Sequence, residues 1–212
     1  MLMKYIKGMI LVCLVVILTA CTNKTANLEA FYQKIDEANT KEQQIVSVSE
    51  KLEKLENNKL QLFNKVNKAK SGEMTGLADQ LIKNTSERKA IAKKEAEIML
   101  KSKEIFEKSK IDAKAIEDKT QKQQVEKLVS DLDEKYAKHS NLMISYQKIL
   151  DKENELFNYL KEETLDKNVV NEKITVISKL YKQFQTKTDD YTKITRLVEQ
   201  NKKPIVETLN KN

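Results

Sequence analysis

The side chains with catalytic or ligand-binding chemistry are few in kind: Cys13 and Cys21, one histidine (His139), and carboxylates and amines spread along 212 residues. A nucleophilic cysteine needs an adjacent base to make its thiolate. His139 falls on an apolar helical seam, where a lone histidine reads as a packed residue and not as a general base. Metal centres need clustered His, Cys or inward carboxylates, and none has ligand spacing. A di-metal carboxylate bundle needs Glu-x-x-His on two helices, which one histidine cannot supply. Gly72 and Gly76 stand four apart with no Lys-Ser/Thr after them, so they form no phosphate loop. No catalytic constellation results, and the chain reads as a non-enzyme with no cofactor and no metal.

The chemistry of Cys21 is set by what precedes it. Lys4 and Lys7 give a positive start, no acid occurs before Cys21, and an apolar run covers Met9 to Leu18. That run is shorter than the about 20 apolar residues a bilayer span needs. A charged start, a short apolar core and a small residue at the cut make a secretory signal, expected over residues 1–20. Leu18-Thr19-Ala20-Cys21 resembles a bacterial lipobox, which implies cleavage between Ala20 and Cys21 and a thioether-linked diacylglycerol on the Cys21 sulfur. Cys13 competes poorly, because β-branched Val12 precedes it and the apolar run would be cut in half. Acyl chains contribute roughly 0.8 kcal/mol per buried methylene, so two chains anchor where one is marginal. The processed chain then holds neither a free thiol nor a disulfide.

Without Lys4 and Lys7 the chain carries 37 basic and 32 acidic residues, a net +5. The signs alternate closely, as on solvated helix faces, and no block of five like charges occurs. The mild bias fits a weak preference for anionic lipid headgroups or polyanionic wall polymers. Nucleic-acid binding has little support, since acids dilute the basic residues.

Lys, Glu, Gln, Leu and Ala dominate, hairpin-forming turn dipeptides are absent, and Pro204 is the single proline. Those residues favour helix over strand. Residues 21–27, the modified cysteine followed by a short polar stretch, form an expected tether, with Asn27 as N-cap of a helical domain over 28–212. The first helix is expected from Leu28 to Lys70, with one stammer where Glu42, Ile45 and Val48 step by three twice. The second begins near Leu77 and keeps heptad order to Ile116. Thr120 and Gln123 match a capping box, which places a break near Glu117 to Thr120. The third helix carries Leu128 to Leu160, and Asp166-Lys167-Asn168 ends it and caps a fourth, which Pro204 should kink or stop. The expected fold is all-α: an elongated up-and-down bundle of four long helices with coiled-coil-like packing. Without the break near Thr120 the alternative is three helices, the central one a rod of about 130 Å.

Asn84, Arg88, Glu95, Glu42 and Glu153 interrupt the apolar ladders. They set helix register, or else they line a polar groove. Heptad spacing assigns most of Tyr136, Tyr146, Phe157, Tyr181, Phe184 and Tyr191 to the core, and leaves Tyr159 as the aromatic most apt to be exposed.

The whole chain resembles the YkyA-like cell-wall-binding lipoproteins of Gram-positive bacteria. The resemblance is carried by Leu18-Thr19-Ala20-Cys21, by Lys108-Ser109-Lys110-Ile111-Asp112 with Ile116-Glu117-Asp118, by Tyr146 to Phe157 and by Ile174 to Tyr191. It implies a wall-facing, extracytoplasmic protein held on the cell membrane through acylated Cys21. Its partners would be the bilayer and a cell-wall polymer, peptidoglycan or teichoic acid; the alternative is a scaffold or adaptor for an envelope protein. No binding residues carry over from the resemblance.

Overall fold

The computed structural model describes residues 25–211. Five α-helices fill them: α1 Ala26–Glu42, α2 Gln44–Val66, α3 Met74–Lys114, α4 Lys119–Tyr159 and α5 Lys167–Asn210. A 3-10 turn, Ser71–Glu73, precedes α3. Among the described residues there is no strand, and no helix is long and apolar enough to cross a membrane. The fold is the expected all-α, up-and-down bundle. The segment 1–20, Cys21 and the first residues of the expected tether lie outside the described residues.

Internal contacts gather into two compact units, each made of four helical segments. In the first (residues up to Gln44, Glu97–Ser140 and from Asp189 on), α1 buries Leu28, Phe31, Ile35 and Ala38, none more than 2% exposed. Antiparallel pairing with α3 is fixed by Asn27 Nδ2 donating to Ala115 O at 2.7 Å and by Lys34 Nζ on Asp112 Oδ2 at 2.5 Å. Asn27 therefore does not cap α1 as expected. Thr25 precedes the helix instead: its carbonyl accepts the Glu29 N–H at 2.8 Å and its hydroxyl meets Glu29 Oε1 at 2.9 Å. α4 returns along α3, with Lys110 on Asp133 at 2.7 Å and the Phe106 and Tyr136 rings stacked 5.4 Å apart. α5 runs back along α4 through Asn201–Asp131 and His139–Tyr191.

In the second unit (Ile45–Ala96 and Asn141–Thr188), Leu62 of α2 clusters with Leu81 of α3, Leu156 and Phe157 of α4, and Ile177 of α5. A second cluster joins Ala92, Tyr146, Ile149, Leu150 and Leu180, with Leu52 packed against it. Each fully buried side chain of this kind contributes about 1.5–3 kcal/mol. The antiparallel order of α3 and α4 shows in Lys161–Asp79 and Lys89–Asp151.

The junctions refine the sequence expectations. The first expected helix is interrupted at Gln43, beside the stammer; Gln43 keeps helical dihedrals (φ −56°, ψ −29°) and bonds back to Asn39. α2 stops at Val66, short of Lys70, and α3 starts at Met74 and takes in Gly76. The break expected near Glu117 to Thr120 is present between Lys114 and Lys119, which rules out the single rod. Its cap is Asp118, not Thr120: Asp118 Oδ1 accepts the Gln121 N–H at 2.9 Å, and buried Ile116 holds the turn onto the core. Asp166 caps α5 as expected, accepting the Asn168 N–H at 2.7 Å, while the Tyr159 hydroxyl accepts the Asp166 N–H at 3.0 Å. Pro204 does not stop α5, which continues to Asn210. Tertiary burial overrides the lost amide there, since Ile205 is fully buried and Thr208 Oγ1 bonds Pro204 O at 2.9 Å.

Candidate functional site: two buried polar clusters

Each unit encloses one polar cluster, and the seam-breaking residues build both. In the second unit Arg88 of α3 is fully buried. Its Nε donates to Asn84 Oδ1 at 2.8 Å, Nη1 to Glu56 Oε1 at 2.9 Å, and Nη2 to Thr85 Oγ1 at 3.2 Å and to Glu153 Oε2. Lys59 of α2 supplies the second cation: its Nζ meets Glu56 Oε2 at 2.6 Å, Glu153 Oε1 at 3.1 Å and Tyr181 OH at 2.7 Å. The hydroxyls of Tyr146 and Tyr181 donate to Glu56 at 2.5 Å and to Glu153 at 2.8 Å. Two cations and two carboxylates from α2, α3 and α4 thus cancel in charge, and Tyr181 adds a hydroxyl from α5.

Burial pushes the Glu56 carboxyl up, but Lys59, Arg88 and the Tyr146 hydroxyl outweigh it and hold Glu56 below the usual carboxylate range. Burial opposes the charge on Arg88, yet Glu153 and Glu56 raise its pKa further. Burial, then the neighbouring carboxylates, push Tyr146 and Tyr181 well above the ordinary phenol value, so both stay protonated donors. Glu56, Arg88, Tyr146 and Tyr181 are therefore each moved away from proton exchange near neutrality.

The first unit's cluster is smaller. Glu42 of α1 accepts Lys135 Nζ at 2.5 Å on one oxygen, and Ser102 Oγ at 2.8 Å and Tyr136 OH at 3.1 Å on the other. Ser102 also reaches the Ala38 carbonyl at 3.0 Å and Tyr136 OH at 2.8 Å. Burial raises Glu42, while Lys135 and the two hydroxyls lower it by more, so the carboxylate stays charged. α1, α3 and α4 contribute these groups, and Tyr191 of α5 acts electrostatically on the Tyr136 hydroxyl. His139, 3% exposed, presents the edge contact to Tyr191 with ring centroids 5.4 Å apart.

Of the five residues weighed as seam breakers, Asn84, Arg88, Glu42 and Glu153 enter the clusters, whereas Glu95 is half-buried outside them. Tyr136, Tyr146 and Phe157 are core; Tyr159, Tyr181, Phe184 and Tyr191 are half-buried. Sequence reasoning missed Lys59, Glu56 and Lys135. Lys59 had a signal, since it fills the empty heptad position between Leu55 and Leu62. A groove of about 420 Å³ on the second unit is lined by alanines of α3 with Met143 and Ile144 of α4, and His139 is not in its lining. Among the described residues no group of three or more His, Cys, Asp or Glu could hold a metal ion. Ala20 and Cys21 lie outside the described residues.

Antiparallel helices around neutralised polar clusters define a helical-bundle protein whose interior charges hold structure. The same fold occurs in a conserved protein of unknown function from Staphylococcus aureus, with a TM-score of 0.73 and 27% identity over 88% of this chain and 97% of that one. A Bacillus subtilis (strain 168) protein named "Uncharacterized lipoprotein YkyA" is 23% identical over 187 residues, 84% of this chain and 83% of its own length. Residues 26–208 match the YkyA family, described as "Putative cell-wall binding lipoprotein", and the chain belongs to that family.

Proposed function

We propose that the protein is an envelope lipoprotein, cleaved before Cys21, acylated on that sulfur and displayed on the outer face of the cell membrane as a non-catalytic module that binds the cell wall. The observation that carries this reading is the family match over the bundle together with Leu18-Thr19-Ala20-Cys21 five positions ahead of α1. From Cys21 to Ala26 the chain can reach at most about 18 Å, so the lipid would hold the start of α1 close to the headgroups. Saturated internal charges leave recognition to the outer faces of the helices.

Two measurements test it. Labelled fatty acid enters the wild-type chain and is lost in Cys21→Ser, which then leaves the membrane fraction; equal membrane retention of both, without label, overturns the anchoring. Purified wall sacculi pellet the protein in a salt-sensitive way; failure to pellet, alongside a specific cross-linked envelope protein, favours the scaffold.

A further inference from the structure

Two segments of the second unit lack acids altogether: Asn57 to Gly72, and Lys173 to Thr188, sixteen residues each. They lie side by side. Leu62, Phe63 and Val66 of α2 pack in one cluster with Val170, Ile174, Ile177 and Tyr181 of α5, and Lys59 Nζ touches Tyr181 OH at 2.7 Å. On the α3 and α4 side of the same unit lysines stand among acids: Lys89 pairs with Asp151 at 2.6 Å and Lys161 with Asp79 at 2.7 Å, while Lys83, Lys93, Lys94 and Lys148 are exposed beside such carboxylates as Glu87 and Glu155. On α5 no acid stands among the lysines: Lys179 and Lys182 are exposed, with Lys173 and Lys187 half-exposed in the same segment. The exposed neighbours are Thr175, Ser178, Gln183 and Thr186 on α5, and Asn57, Gln61 and Asn64 on α2. The amides of Gln183, Asn57, Gln61 and Asn64 and the Ser178 hydroxyl can donate to phosphate oxygens without adding negative charge, whereas Thr175 and Thr186 already donate to the Asn171 and Lys182 carbonyls and offer only acceptor oxygens to polyol hydroxyls.

We propose that this acid-free α2–α5 face docks a linear anionic polymer of phosphodiester-linked polyols. The proposal rests on the wall-binding reading and names its ligand class. Charge complementarity carries it: the α5 segment is a basic track of about 24 Å at 1.5 Å per residue, with no carboxylate to repel a polyanion. The geometry suits a strand better than a lipid surface, because Leu60 and Val176, 57% and 42% exposed, are the large apolar groups offered there, too few to insert as a face.

The test uses the acylated protein in neutral detergent and synthetic poly(glycerol phosphate) as the probe. Lys179→Gln/Lys182→Gln/Lys187→Gln is compared with Lys101→Gln/Lys103→Gln/Lys108→Gln, an equal charge change on exposed α3 residues of the first unit. Lys173, whose amine lies 5.8 Å from the Tyr159 ring centre, is left in place. With melting temperatures unchanged, the α5 variant should lose on the order of tenfold or more in affinity. Its slope of log affinity against log salt should flatten, because fewer counterions are released. The α3 variant should lose less than about twofold. Equal losses in both variants overturn the assignment to α5. Binding to phosphatidylglycerol vesicles but not to the polymer transfers the site to lipid and overturns it too. Undiminished pelleting with sacculi stripped of phosphate polymer also overturns it while leaving wall binding standing; failure to pellet with intact sacculi removes both.

Discussion

The two polar clusters solve one problem at different scales. Around Glu42, one carboxylate meets one ammonium and two hydroxyls, and three helices take part. Around Arg88, two carboxylates and two cations are laced by two tyrosines and an asparagine from all four segments. Removing water from ions is costly, and the attraction repays it only when every lone pair is occupied. The larger cluster therefore specifies which helices meet and at what level, since any slip strands a buried charge. The smaller one fixes α1 against α3 and α4, while α5 of its unit is held by buried Ile194, Val198 and Ile205, by the Asn201–Asp131 bond and by the His139–Tyr191 ring contact. Multi-charge networks lock register, and single pairs pin a corner.

Several variants would break or sharpen that contrast. Arg88→Met leaves Glu56 and Glu153 with Lys59 as their sole cation, and should cost about 3–5 kcal/mol in urea unfolding. A loss under 1 kcal/mol would show that the network gives specificity without stability. Lys135→Met should cost less, about 2 kcal/mol, because Ser102 and Tyr136 still donate to Glu42. Tyr181→Phe removes one hydroxyl that bridges Lys59 and Glu153, an expected loss of about 1 kcal/mol. Pro204→Ala restores an amide inside α5, and thermal unfolding should show a gain of about 1 kcal/mol; a loss would mean that the ring itself packs the segment.

The smallest effect is a slope. Glu42 and Glu56 have folded pKa values below the unfolded one. Their stabilisation is therefore complete above the ordinary glutamate value of about 4.3 and fades as pH falls from there through the depressed folded values. Glu42→Gln should lower stability at neutral pH and flatten part of this acid slope. An unchanged slope would remove Glu42 from the acid response.

Heptad order made α3, α4 and α5 legible, because a buried stripe repeats wherever the helix is straight. The stammer at Glu42, Ile45 and Val48 marked the place of the Gln43 interruption, yet periodicity alone could not tell an overwound helix from a break. The turn before α4 was located through Thr120 and Gln123, although Asp118 does the capping, since several polar residues there compete for the same amides. Pro204 misled because local propensity carries no information about the burial of Ile205. The clusters were half visible. A polar residue on a seam, such as Arg88 or Glu153, announces itself, whereas Glu56 and Lys135 lie beside the seam and matter only through partners on other helices. The docking face was harder still to read: sixteen residues without an acid are less conspicuous than a run of like charges, and the pairing of two such stretches exists only after folding.

The span of the Arg88 cluster along the chain has a kinetic consequence. Lys59 meets Tyr181 across 122 positions. Synthesis runs from the N-terminus, so Arg88 can meet Glu56 across 32 positions early, whereas the lattice of charges stays incomplete until Tyr181 has emerged. The network that ties all four segments of the second unit together is therefore completed only by its last helix, and a chain shortened before Tyr181 keeps the α2–α3 pair of charges without the hydroxyl that links Lys59 to Glu153.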